Sequence, residues 1–122
     1  MARNCAVIVG INNYSRISRL NYAKSDAERM RDFFEQDLGA SSDDIYLFTD
    51  DSPPNAQGEE TKPTYGNLTS FLGDRFAKPF LSAGDTLWFY FSGHGMPCEG
   101  RDYLLPSDGN PRSEEHTSEL QS

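Results

Sequence analysis

The run Asn4-Cys-Ala-Val-Ile-Val-Gly10 does most to limit the folds open to this chain. Its centre is continuously apolar with no polar residue at alternate positions, so a strand made from it must be covered on both faces, as strands of parallel sheets are. It is far shorter than the roughly 20 residues that span a bilayer, and Gly10 closes it.

The remaining segments supply neighbours and covers for such a strand. Ser25-Asp-Ala-Glu28 has capping-box form, and Ala27, Met30 and Phe34 recur at helical spacing until Leu38 meets Gly39. These features predict an amphipathic helix of about four turns. Residues 44–48, Asp-Ile-Tyr-Leu-Phe, read as a second strand, and the Pro-, Gly- and acid-rich residues 49–63 read as an exposed loop. Thr64 can cap a second helix with Leu68, Phe71, Leu72 and Phe76 as its apolar stripe, limited by Pro79. Residues 85–91, Asp-Thr-Leu-Trp-Phe-Tyr-Phe, form the third expected strand. The order strand, helix, strand, helix, strand implies an α/β fold: right-handed crossovers and a mostly parallel sheet with helices on both faces. There is no internal repeat or low-complexity tract.

A length of 122 residues sets a ceiling of one domain, and 36% hydrophobic content with 12% aromatic is enough for a core. A net charge of −8 argues against nucleic acid or an anionic membrane as partner, and suits a cationic substrate better. The N-terminus lacks a signal-peptide core, so a cytoplasmic location is expected. Cys5 and Cys98 form neither a disulfide framework nor a metal-binding pair, and a reducing compartment keeps both as thiols. No metal or other cofactor is expected. Asp43, Asp44, Asp50 and Asp51 lack the spacing of a calcium loop and read as a solvated surface.

In sheets of this kind chemistry gathers beyond the carboxyl ends of the strands. His94 lies just past the third strand in Ser92-Gly-His-Gly95, and Gly10-Ile-Asn-Asn-Tyr14 and Thr49-Asp-Asp51 open onto the same edge. Gly93 and Gly95 would let the backbone turn sharply and approach a substrate closely. Locally the pattern fits both a catalytic histidine and a tight turn that happens to contain one.

Taken together, Val7-Ile-Val-Gly-Ile-Asn-Asn-Tyr14, the spacing of Ala23, Asp26, Ala27 and Met30, and Gly84-Asp-Thr-Leu-Trp-Phe-Tyr-Phe-Ser-Gly-His-Gly95 resemble the caspase-like cysteine peptidases, nearest to metacaspases and bacterial caspase homologues. The resemblance covers roughly residues 5–108. It implies a three-layer caspase-like fold and a Cys–His dyad that cleaves polypeptides through an acyl-enzyme thioester. His94 matches the catalytic histidine, and Gly95 the position whose backbone N–H stabilises the oxyanion. Asp26 matches an acidic residue of the pocket for the residue before the scissile bond, which implies cleavage after Arg or Lys; an Asp in a helix's first turn is also favoured by the helix dipole alone. Ser92 matches a pocket serine and equally suits a turn. Some metacaspases depend on calcium, so calcium activation stays open although no motif indicates it.

In this family the nucleophile follows the histidine by about 50 residues, past the end of this chain. Cys98 is therefore not expected to be the nucleophile, and neighbouring Glu99 would raise its thiol pKa. Cys5, at the start of a buried strand, reads as a core residue. Residues 112–122, Arg-Ser-Glu-Glu-His-Thr-Ser-Glu-Leu-Gln-Ser, resemble the translation of a sequencing-library adapter, although a solvated tail would have similar composition. Residues 1–111 are then a truncated peptidase domain lacking its nucleophile, followed by a non-native tail that carries His116. Two other classes compete. A catalytically inactive caspase-like interaction module would keep the histidine motif without a downstream cysteine. A nucleotide binder would need a Gly-rich loop that residues 10–25 do not supply.

Overall fold

The structure is a computed structural model and describes residues 3–55, 57–77, 81–109 and 120–121. Pro79, residues 110–119 and Ser122, and with them most of the expected tail, lie outside the described residues.

Strand β1 (Asn4–Gly10) is central. It pairs in parallel with β2 (Ile45–Thr49) on one side and with β3 (Thr86–Ser92) on the other, giving the order β2-β1-β3. The continuous apolar run explains this placement. Ala6 and Ile8 turn to one face, where α1 (Ala23–Gln36) covers them with Ala27 and Phe34. Val7, Val9 and Ile11 turn to the other, where Phe48 and, from α2 (Tyr65–Ala77), Leu68 and Phe71 complete the core. The expected three-layer α/β architecture is thus present. Each fully buried Ile, Leu or Phe side chain contributes about 1.5–3 kcal/mol to holding a layer in place.

The start of α1 departs from expectation. The helix begins at Ala23, Ser25 lies inside its first turn, and Tyr22 at the cap position makes no side-chain capping bond. The capping acceptor comes instead from the loop after β1: Asn12 Oδ1 accepts from the Ala23 N–H at 2.9 Å and the Lys24 N–H at 3.3 Å. Gly10 lets α1 approach this closely, since a Cβ there would stand 2.5 Å from the Ala23 carbonyl oxygen. Helix α2 follows its sequence signal, with Thr64 Oγ1 accepting from the Asn67 N–H at 3.1 Å.

After β3 the chain forms a hairpin, not expected from the sequence, of β4 (Gly95–Cys98) and β5 (Arg101–Leu104), and β6 (Leu120–Gln121) pairs antiparallel with β5. The two turn residues, Glu99 (φ 53°) and Gly100 (φ 77°), both have positive φ, as the two-residue turn that matches strand twist requires. At the sheet end away from this hairpin, Arg3 bonds Asp44 and Asp85, each at 3.0 Å, and ties the starts of β1, β2 and β3 together.

Candidate active site

The carboxyl ends of β1 and β3 lie side by side, because Gly10 pairs with Ser92 and the Ile11 N–H donates to the Ser92 carbonyl at 3.0 Å. Three segments meet there: the loop after β1, the first turn of α1, and the β3–β4 turn that carries His94.

The loop after β1 is held from several directions. Asp50, just past β2, accepts from the Asn12 N–H at 2.8 Å and the Asn13 N–H at 3.0 Å. The Leu20 N–H closes the loop onto the Asn12 carbonyl at 2.8 Å, and the Ser15 N–H donates to Ser107 O at 3.0 Å. Two of the four aspartates expected to form a solvated surface therefore have structural partners here: Asp50 orders the loop, and Asp51 pairs with Lys24 at 2.7 Å. The Lys24 ammonium holds the exposed Asp51 carboxyl below its usual range. Among the described residues, no group of three or more His, Cys, Asp or Glu could hold a metal ion.

That ordered loop presents the Ser18 carbonyl to His94, with Nε2 2.8 Å from the oxygen. A carbonyl can only accept, so Nε2 carries the proton, and in the neutral ring Nδ1 is the free, basic nitrogen. The His94 backbone is fixed as well. Its N–H donates to Tyr14 Oη at 2.8 Å, its carbonyl accepts from the Leu105 N–H at 3.0 Å, and the Tyr14 and His94 rings meet edge-on at 4.8 Å.

Gly93 and Gly95 do not have positive φ. At Gly93 the requirement is space, because a Cβ would fall 2.5 Å from Tyr14 Oη. Gly95 faces Leu104 in the β4–β5 ladder, and the bond from Leu105 N–H to the His94 carbonyl makes this a non-hydrogen-bonded pair. The Gly95 N–H therefore points away from β5. The same alternation puts Pro97, which has no N–H, at another non-bonded position opposite Asp102.

Asp26 and Ser92, far apart in sequence, come together: the Ser92 O–H donates to Asp26 Oδ2 at 3.2 Å. Asp26 also lines a cleft of about 310 Å³ with Arg29, Met30, Phe33 and Tyr90. The cysteines lie elsewhere. Cys5 is buried and pairs with Leu87, five residues back along β1 from Gly10, or about 17 Å at strand rise. Burial pushes its thiol pKa up, away from the thiolate a nucleophile needs. Cys98 ends β4 opposite Arg101, its backbone about 10 Å along the strand from Gly95.

Tyr14, Asn12, Ser18 and Leu105 are site residues that the sequence does not single out. Tyr14 and Asn12 fall within the stretch Gly10–Tyr14 that the sequence places at this edge. The Ser18 carbonyl and the Leu105 N–H are backbone groups, for which a sequence carries no residue-specific sign.

At the carboxyl edge of the parallel sheet of this α/β scaffold, a histidine held through Nε2 thus stands beside an outward-pointing backbone N–H. Residues 3–121 match the caspase domain model, and the chain belongs to that family. It is 30% identical over 117 residues to metacaspase-9 of Arabidopsis thaliana, covering 88% of this chain and 34% of that protein. It is 28% identical over 90 residues to metacaspase-1A of Aspergillus terreus, covering 74% of this chain and 21% of that protein. Against metacaspase-1 of Botryotinia fuckeliana it is 29% identical over 99 residues, with 80% and 22% covered. The chain thus spans about a third or less of the length of these relatives.

Proposed function

We propose that these residues form the histidine-bearing part of a cysteine endopeptidase that cleaves polypeptides after Arg or Lys. The bond from His94 Nε2–H to the Ser18 carbonyl carries this reading, because it leaves Nδ1 to exchange protons with reactants. In the proposed reaction a cysteine thiolate attacks the scissile carbonyl carbon. His94 Nδ1, having taken the thiol proton, gives it to the leaving amine as the C–N bond breaks and a thioester forms; the neutral ring then takes a proton from the hydrolysing water and returns it to the departing cysteine sulfur. The outward direction of the Gly95 N–H supports its role as an oxyanion donor. The distance of Cys5 and of the Cys98 backbone from this edge supports a nucleophile carried by a longer protein, of which residues 1–111 would be the first part of the peptidase domain. The reading of 112–122 as a non-native tail rests on its sequence alone, since the family match runs to residue 121 and Leu120–Gln121 pairs with β5. The free thiol of buried Cys5 and the net charge of −8 agree with a reducing, cytoplasmic setting and with polypeptide substrates rather than nucleic acid or membrane. Among the described residues, no helix is long and apolar enough to cross a membrane.

Specificity for a cation rests on Asp26, whose Oδ2 is engaged by Ser92 and whose carboxyl group lines the cleft where a substrate guanidinium or ammonium would bind. The test uses the genomically completed protein and peptides with Arg, Lys or Asp before the scissile bond. Asp26→Asn is expected to lower kcat/KM on the Arg and Lys peptides at least tenfold, roughly the weight of one charged hydrogen bond. Equal activity of parent and mutant on all three peptides would reduce Asp26 to a helix-start residue. A completed protein with no cysteine at the end of the following strand would favour the inactive interaction module instead.

A further inference from the structure

His94 sits in a turn, and the Ser18 carbonyl that orients its ring belongs to an exposed loop residue. A single hydrogen bond between two exposed groups is worth little by itself, so the aim of the ring depends on how firmly the His94 backbone is held. Tyr14 provides that hold. Its hydroxyl accepts from the His94 N–H at 2.8 Å and donates to the carbonyl of buried Leu105 at 3.1 Å. Leu105 in turn donates its N–H to the His94 carbonyl, so one phenol and one backbone unit close a ring of bonds around the histidine. The Tyr14 ring also lies edge-on to the imidazole, which limits rotation of the side chain. Gly93 is shaped to this arrangement, since any Cβ there would collide with the hydroxyl.

We propose that Tyr14 is a positioning residue for the acid–base histidine: its hydroxyl, seated over Gly93, locks the His94 backbone so that Nε2 stays on the Ser18 carbonyl and Nδ1 faces the reactants. This rests on the peptidase reading for its consequence in catalysis, but the locking is a property of the present chain. The hydroxyl must donate and accept at once, which only the neutral phenol can do. Burial pushes the Tyr14 pKa up to about 12, so the phenol keeps its proton throughout the working range.

The experiment follows the imidazole itself. The chain holds two histidines, and a His116→Gln background leaves His94 alone in a ¹⁵N-edited imidazole spectrum. In the parent, the hydrogen-bonded Nε2–H should be visible and protected from solvent exchange at neutral pH. Tyr14→Phe keeps the ring and removes only the hydroxyl. It should speed Nε2–H exchange roughly tenfold, the weight of one hydrogen bond, while amide signals of β1, β2 and α2 keep their positions. Gly93→Ala, which displaces the hydroxyl and leaves Tyr14 intact, should do the same and guards against an effect peculiar to the first variant. In the completed peptidase, Tyr14→Phe should lower kcat about tenfold with KM unchanged. An Nε2–H whose shift and exchange are the same in parent and both variants would overturn the proposal. Normal imidazole locking in a completed protein without peptidase activity would overturn the functional reading while leaving the positioning intact.

Discussion

Gly10→Ala tests how closely the sheet and α1 are packed behind the site. The added Cβ would stand 2.5 Å from the Ala23 carbonyl oxygen, 2.6 Å from Ala27 Cβ and 3.1 Å from the Ala23 carbonyl carbon. Ordinary carbon contacts lie at about 3.5–4.0 Å, so α1 would have to withdraw by roughly 1 Å. Neither neighbour has a flexible end to swing aside, since both are fully buried alanines contacted through backbone or Cβ. Overpacking of this kind costs about 1–3 kcal/mol, and rigid partners place it near the top of that range. Gly10 does not have positive φ, so alanine also stiffens the unfolded chain, which offsets about 0.4–1 kcal/mol. The net expectation is a loss of about 2 kcal/mol. Urea unfolding followed by fluorescence of Trp88, the chain's single tryptophan, measures it. Adding Ala27→Gly should not restore stability, because the clash with the Ala23 carbonyl persists. A Gly10→Ala chain within about 0.5 kcal/mol of the parent would refute the close seating of α1 on β1.

Asn12→Ala removes the acceptor shared by the first two N–H groups of α1 and should cost about 1 kcal/mol in thermal or chemical unfolding, with Asn12→Asp retaining most of the stability. The Tyr14 phenol has its pKa raised from 10.0 to about 12 in the folded chain, so between these values the folded state holds a proton that the unfolded state has released. Its contribution to stability is complete below about pH 10 and is lost as pH rises through about 12. Partial exposure reduces the ideal figure to roughly 1–2 kcal/mol. The parent should therefore lose more stability over this interval than Tyr14→Phe, and parallel pH profiles of the two would contradict the assignment.

The parts of the fold legible in the sequence are those that one segment specifies by itself. Strand β1 runs from Asn4 to Gly10 as its pattern predicts, because an uninterrupted apolar run admits no other burial pattern. Helix α2 begins after Thr64 because its cap is local. The start of α1 is not legible in the same way: its cap lies in Asn12, a residue recruited by tertiary packing, while the capping box at Ser25 is only a local alternative. The β4–β5 hairpin is hidden because Pro97 reads as a strand breaker and Glu99 is an unusual residue for positive φ. Both cease to be anomalies once ladder alternation and turn geometry are known. At the candidate site, residue type and order single out His94, Gly95, Asp26 and Ser92 in the sequence, and the structure brings Asp26 and Ser92 within 3.2 Å. The groups that aim His94 cannot, being backbone carbonyls and N–H groups together with a tyrosine whose hydroxyl acts at a distance of 80 residues along the chain.

His94 is proposed to perform the proton transfers of a cysteine peptidase. The most direct test of that role is kcat/KM of the genomically completed protein and its His94→Ala variant on an Arg-containing peptide, with matching circular dichroism to show that both are folded. Acid–base catalysis by one residue is worth roughly 10²–10⁴ in rate, so the variant should lose at least about a hundredfold. Activity within a few fold of the parent would contradict that role for His94.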